Sequence, residues 1–380
     1  MIDRPRVNPR VAEIPASMIR EIAAKKRHDS IDLGLGEPSL APTARFLEAA
    51  MRDTLAIGLR YSANAGMPEL REAISQHYRY PGMDRLENVC VTTGSQEAMY
   101  VALKTLLDPD RDELLVVEPC FPSYAKMAKL DGVAVRSVEM LEEEDFSFDA
   151  RRILDAVGEH TRAIVICSPN NPTARVLDRT QASILYAGLQ AREGEPIWLI
   201  HDEIYREQCF VGTAAEIAAE YPWTIATNSL SKSNALTGLR LGWLIGPSAF
   251  IENAIKCHAW VTSCADTFAQ RVALHIFSTS GGITEHTAWY KKHRIGVVSA
   301  LEGSALRFIL PEGAFYACVR LPEGRRSLPS ALELLDRENV VAIPGAAFGA
   351  NFDGWLRLSW VAPVPIVREG IERIARYIST

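Results

Sequence analysis

Thr224-Ile225-Ala226-Thr227-Asn228-Ser229-Leu230-Ser231-Lys232 sets a β-branched run directly against a polar turn that carries two hydroxyls and one lysine. The run reads as a buried strand, Thr224–Asn228, and the turn begins where that strand stops. Outward from it the same pattern recurs. Strand candidates stand at Val89–Thr93, Leu114–Glu118, Val133–Val138, Ala163–Cys167, Ile197–His201 and Arg240–Ile245. Amphipathic stretches lie between them, among them Ser95–Leu107, Ala150–Val157 and Thr180–Gln190. Alternation of this kind predicts an α/β fold, a mostly parallel sheet with helices on both faces. The strands are apolar without period-two alternation, as a sheet buried on both sides requires. Ligands of such sheets bind at the carboxyl ends of the strands.

The last hundred residues follow another pattern. A long polar helix is expected around His286–Leu301, then short strands at Ala314–Val319, Val340–Ala342 and Trp355–Trp360, and a closing helix at Val364–Ile378. That is an α+β lobe, and the N-terminal stretch is expected to join it. The expected division is a large domain over 45–279 and a small one built from 1–44 and 280–380.

The chain has 380 residues, with 48% hydrophobic and 23% charged, an ordinary globular composition. Its formal charge is −6, which gives no sign of a nucleic-acid surface. No run approaches the roughly 20 apolar residues of a membrane helix, and Met1-Ile2-Asp3-Arg4-Pro5 does not open like a signal peptide, so a soluble cytoplasmic protein is expected. Seven cysteines, at 90, 120, 167, 209, 257, 264 and 318, form no C-x-x-C pair, and the histidines form no H-E-x-x-H cluster. Free thiols and no metal site are expected.

The chemistry is in the residues after the strands. A lysine acts as an amine nucleophile only when deprotonated, which calls for a dry or cationic pocket. Serines with an arginine, here Arg240 eight residues beyond Lys232, suit a phosphate dianion. A lysine beside phosphate ligands is what pyridoxal phosphate requires. Alone, S-x-S-K is weak, since most such pairs are surface loops. Four further segments stand at strand ends. Ser168-Pro169-Asn170-Asn171-Pro172-Thr173 would in isolation be a turn. His201-Asp202-Glu203-Ile204-Tyr205 would be an acidic helix cap. Thr92-Thr93-Gly94-Ser95-Gln96-Glu97 joins a strand to a helix whose first N–H groups could cradle an anion. Glu118-Pro119-Cys120-Phe121-Pro122-Ser123-Tyr124 carries two aromatics. Elsewhere, Leu33-Gly34-Leu35-Gly36-Glu37-Pro38 is glycine-rich, and Arg357 lies in an apolar strand, where a charge is costly unless paired.

Together, in this order and spacing, these segments resemble the class I/II aminotransferases of pyridoxal phosphate fold type I over nearly the whole chain. The resemblance implies a seven-stranded, mostly parallel sheet in an α/β/α sandwich plus a smaller α+β domain. It implies Lys232 as the residue linked to the cofactor aldehyde, Ser229 and Arg240 as phosphate ligands, and Gly94, Ser95 and Gln96 as the phosphate turn. Phe121 would stack on the ring, with Tyr124 a nearby candidate or plain core. Asn171 and Tyr205 would meet the phenolic oxygen and Asp202 the ring nitrogen, where a carboxylate keeps the ring cationic. Gly36 and Arg357 would hold the substrate carboxylate. Tyr61, in Tyr61-Ser62-Ala63-Asn64, would reach the phosphate of a partner subunit, which implies a homodimer. One position departs from the family pattern: Ala174 stands where a glycine is usual, and alanine resists a positive φ.

The implied reaction moves an amino group from an amino acid to a 2-oxo acid in two half-reactions with ping-pong kinetics. Gln96 stands where aspartate-specific relatives often carry a lysine, and Trp260-Val261-Thr262-Ser263-Cys264 lacks an arginine found in others. A substrate that is not strictly dicarboxylic is therefore expected. The alternative on the same scaffold is a C–S lyase or other carbanion chemistry, such as decarboxylation or cyclisation. A regulator with an added DNA-binding domain is disfavoured, because only about 30 residues precede Leu33.

Overall fold

The computed structural model describes residues 7–41, 43–212 and 220–379; the Met1–Pro5 stretch lies outside them. A seven-stranded sheet holds the centre. In chain order its strands are β1 (Val89–Thr92), β2 (Glu113–Glu118), β3 (Ala134–Glu139), β4 (Thr161–Cys167), β5 (Trp198–Asp202), β6 (Thr224–Ser229) and β7 (Gly242–Ile245). The spatial order is β1-β7-β6-β5-β4-β2-β3. β7 runs antiparallel to both of its neighbours, and the remaining pairs are parallel.

Burial on both faces follows from the strand sequences. Val89 and Val91 pack on one side among the helices Ala44–Ile57, Pro68–Tyr78 and Thr267–Phe277, while Cys90 between them packs on the other. Trp243 and Ile245 divide from Leu244 in the same way. Adjacent strand residues point to opposite faces, so a two-sided core demands a continuous apolar run. Helices start where side chains can satisfy their free N–H groups. Asp149 accepts from the N–H of Arg151 and Arg152 to begin Ala150–Asp155, and Asp178 accepts from Gln181 to begin Arg179–Gln190.

A second layer comes from both ends of the chain. β8 (Phe308–Ile309), β9 (Tyr316–Arg320), β10 (Ile343–Pro344) and β11 (Trp355–Ser359) form an antiparallel sheet in the order β10-β11-β9-β8. Ile31 and Asp32 pair in parallel with Val340 and Val341, and the Ser359 N–H donates to Leu33 O at 2.6 Å. Among the described residues all seven cysteines are free thiols, and Cys90, Cys120, Cys167 and Cys318 are buried.

Two local expectations need correction. Arg240 does not open the seventh strand: it takes a left-handed conformation (φ 52) at the end of a short turn, and pairing begins at Gly242. Ala174 adopts φ 60 despite its β-carbon. Its N–H donates to Asn170 O, and its carbonyl accepts from Glu312 and Gly313, so three hydrogen bonds hold the strained turn in place.

Left-handed backbone costs an L-residue about 1–2 kcal/mol, and one buried methyl contributes about 0.8 kcal/mol. Ala174→Gly should therefore raise stability by up to about 1 kcal/mol, seen as a higher denaturant midpoint. A lower midpoint would show that the methyl contact outweighs the strain.

Candidate active site

Five parallel strands end at one edge of the sheet and deliver their following residues to one place. β4 leads to Asn171, β5 ends in Asp202, β6 leads to Lys232, β1 leads to Gly94–Gln96 and β2 leads to Phe121 and Tyr124. β7, running the other way, starts at that edge, with Gly242 opposite Thr92 and Ser229. Its reversed direction is what puts Arg240 there too. The second layer closes the space with Arg357 from β11 and Tyr316 from β9.

The result is a cavity of about 760 Å³. Gly36, Ser95, Gln96, Phe121, Asn171, Asp202, Tyr205, Lys232, Arg240 and Arg357 all line it, as the sequence predicts. Gly94 lies just behind the wall, where a β-carbon would come 2.7 Å from an Arg240 nitrogen; its φ of 80 also requires glycine. Ser229 is not on the wall. It is buried, and its Oγ accepts from the Ser231 N–H at 3.1 Å, leaving Ser231 as the cavity-lining hydroxyl. Tyr61 is also outside, 88% exposed on the protein surface.

Lys232 Nζ donates to Gly36 O at 2.5 Å. Burial, with Arg357 and Arg240 nearby, lowers its pKa to about 8 against the opposing pull of Glu37 and Asp202. That leaves an appreciable fraction of free amine near neutrality. On the facing wall, Asp202 Oδ2 accepts from Tyr124 Oη at 2.6 Å and Oδ1 from the Ile204 N–H at 3.2 Å. Burial raises the Asp202 pKa even against those hydrogen bonds, so a cationic partner would relieve a desolvated carboxylate.

Arg357 is 2% exposed. It donates to Asn171 Oδ1 at 2.9 Å and to Gly34 O at 2.6 Å, and among the described residues its Nε has no hydrogen-bond partner. Its guanidinium lies over the Tyr316 ring at 4.3 Å and the Phe348 ring at 4.9 Å. A fork held flat between two rings is ready for a planar carboxylate. Tyr205 Oη pairs with Tyr316 Oη at 2.8 Å, and burial keeps the Tyr205 phenol protonated, able to donate.

Sequence reasoning left Tyr124 between stacking and core; its hydroxyl on Asp202 gives it a definite place. Tyr316 was missed, and only the register of β9 against β11 brings it beside Arg357. Among the described residues no group of three His, Cys, Asp or Glu could hold a metal, and no helix is long and apolar enough to cross a membrane.

Known proteins share this fold and much of the sequence. The family model described as aminotransferase class I and II matches residues 28–374. An aspartate aminotransferase from Pyrococcus horikoshii is 34% identical, over 97% of this chain and 96% of that protein. A probable N-acetyl-LL-diaminopimelate aminotransferase from Bacillus subtilis is 29% identical, over 98% of this chain and 95% of that one. Among solved structures, the aspartate aminotransferase of Thermus thermophilus with maleate superposes with a TM-score of 0.91 at 29% identity, covering 98% of this chain and 100% of that one. The chain belongs to the class I and II aminotransferase family, has its fold type I architecture and is an aminotransferase.

Proposed function

We propose that the chain is a pyridoxal phosphate-dependent aminotransferase with Lys232 as its reactive amine, and that it works as a homodimer in the cytoplasm. The observation that carries this reading is a single cavity holding three matched features: a low-pKa lysine, a carboxylate whose pKa burial raises, and an anion cradle. Pyridoxal phosphate has one group for each, and when bound it supplies an aldehyde that condenses with amines and a ring that accepts the electron pair left by a departing proton.

The phosphate falls to the N–H groups of Ser95 and Gln96 at the start of a helix, to Arg240, and to the Ser229 hydroxyl behind Ser231. Asp202, steadied by Tyr124, holds a proton on the ring nitrogen. Tyr205 and Asn171 donate to the phenolic oxygen, and Phe121 covers one ring face. Arg357 takes the substrate carboxylate beside Gly36. With the cofactor bound, the Lys232 amine would be the base that takes the substrate α-proton and holds it for return, and hydrolysis by water would complete the amino transfer. The named relatives are aminotransferases, which favours transfer over elimination.

Substrate choice is not strictly dicarboxylic in this reading. Gln96 is uncharged and its Nε2 donates to Ser123 Oγ at 2.9 Å. Two relatives are named for other acids, prephenate and N-acetyl-LL-diaminopimelate. The chain divides into a large domain over 45–279 and a small one from 1–44 and 280–380, with the cavity between them. Dimerisation is supported by exposed apolar side chains on two segments: Leu55, Leu59 and Tyr61 on one and Trp260, 91% exposed, on the other, with Asn64 Nδ2 donating to Ser263 O at 2.6 Å between the segments.

Added pyridoxal phosphate should give a visible absorption band that suitable amino acids bleach, and Lys232→Ala should give neither band nor bleaching. No band in the native protein would overturn the cofactor assignment, and bleaching by aspartate alone would overturn the broader specificity. Borohydride trapping of pyridoxal on Lys232 should rise through pH about 8. Arg357→Met removes a cation and should move that midpoint up, whereas Glu37→Gln removes an anion and should move it down. Sedimentation should give twice 42.0 kDa, and Trp260→Glu should weaken the dimer by at least about 2 kcal/mol. Unchanged sedimentation of that variant would place the interface elsewhere.

A further inference from the structure

The phosphate turn is held from behind by a side chain that the proposed reaction does not use. Glu97 sits one turn into the helix Gly94–Leu106, whose N-cap is Thr93. Its Oε2 accepts from the Thr93 N–H at 2.5 Å. Its Oε1 accepts from Thr262 Oγ1 at 2.7 Å and pairs with His258 Nδ1 at 2.9 Å. His258 and Thr262 lie at the end of another helix, Ser248–Val261, with His258 fully buried. Among the described residues His258 Nε2 has no hydrogen-bond partner, and the ring's hydrogen bond goes to Glu97.

A carboxylate one turn from an anion site would ordinarily repel the anion. Here three donors share its charge, and they hold its pKa below the usual range in spite of burial. What it does is geometric. Turning the Thr93 N–H inward onto Glu97 leaves Ser95 and Gln96, which line the cavity, as the residues whose first-turn amides are open to a ligand. On the opposite side Gly242 packs against the Ser95 nitrogen and the Gly94 carbonyl carbon so closely that a β-carbon there would overlap both. The turn is thus fixed between a glycine and a carboxylate. Through Thr262 and its neighbour Ser263, whose carbonyl accepts from Asn64, the same contacts reach the surface segment that carries Tyr61.

We propose that Glu97, backed by His258 and Thr262, is a positioning residue for the phosphate-binding turn. The proposal rests on the reading that this turn holds the cofactor phosphate. The test compares pyridoxal phosphate with pyridoxal, which lacks the phosphate, by absorbance titration of the cofactor-free full chain. Native protein should bind pyridoxal phosphate much more tightly. Glu97→Ala should lose about 10- to 100-fold in pyridoxal phosphate affinity while pyridoxal binding changes by less than about threefold. Glu97→Gln, which keeps one acceptor oxygen, should fall between. Thr262→Val removes one contact without touching the helix, and should show the same selective loss on a smaller scale, with a matching loss in competition by inorganic phosphate. Equal losses for both ligands in either variant would mark a merely structural role and overturn the proposal, as would native affinities in both. Native protein that did not prefer pyridoxal phosphate would instead overturn the cofactor reading.

Discussion

Lys232 is buried beside two guanidinium groups, Arg357 and Arg240, and the electrostatics of the cavity follow from that placement. Both guanidinium groups depress the lysine. Burial acts in the same direction and is the largest contribution. Glu37 and Asp202 pull the other way, which stops the value near 8. A pocket with more cations would bind anions better without making the amine a better base at neutral pH, since a lower pKa weakens basicity. The amine's balance and the cavity's charge are one property.

The sheet supplies the geometry that this balance needs. Parallel strands all end at one edge, so five loops converge without long connections. The single reversed strand adds the sixth contribution, because Arg240 precedes β7 at the edge where the others finish. Had β7 run parallel to β6, a helix-length crossover would have come between them and the residues just before β7 would lie at the opposite edge. The second layer then sets Arg357 between Tyr316 and Phe348, whose rings shield the guanidinium from water while Asn171 and Gly34 satisfy part of its hydrogen bonding.

Strand positions were legible because a sheet covered on both faces needs unbroken apolar runs, and those runs are visible at Val89, Leu114, Ala163 and Ile197. Most of the motif residues were legible because they stand at or just after a strand end. What could not be read were relations set by register or by tertiary hydrogen bonds. Tyr316 meets Tyr205 from 111 positions away, and Tyr124 meets Asp202 from 78. Arg240 was misread as the first residue of a strand because its neighbours are apolar; its left-handed backbone has no local signature. Ala174 shows the converse. Its side chain argued against the turn, but hydrogen bonds to Asn170, Glu312 and Gly313 outweigh a penalty of about 1–2 kcal/mol.

Charge inside the fold follows a rule that the net value of −6 conceals. Three acids around the site are committed to donors: Asp202 to Tyr124, Glu97 to Thr93, Thr262 and His258, and Glu203 to His201, Tyr80 and Arg206. Glu203 is pulled down to about 2 by Arg206 and His201 against its own burial. Such pairing moderates a carboxylate's field without removing it, since Asp202 still raises the Lys232 pKa, whereas Arg357 and Arg240 lower it. Local pairing, rather than the count of acids and bases, therefore sets the sign of the pocket, and an acidic protein can hold a cationic site without paradox.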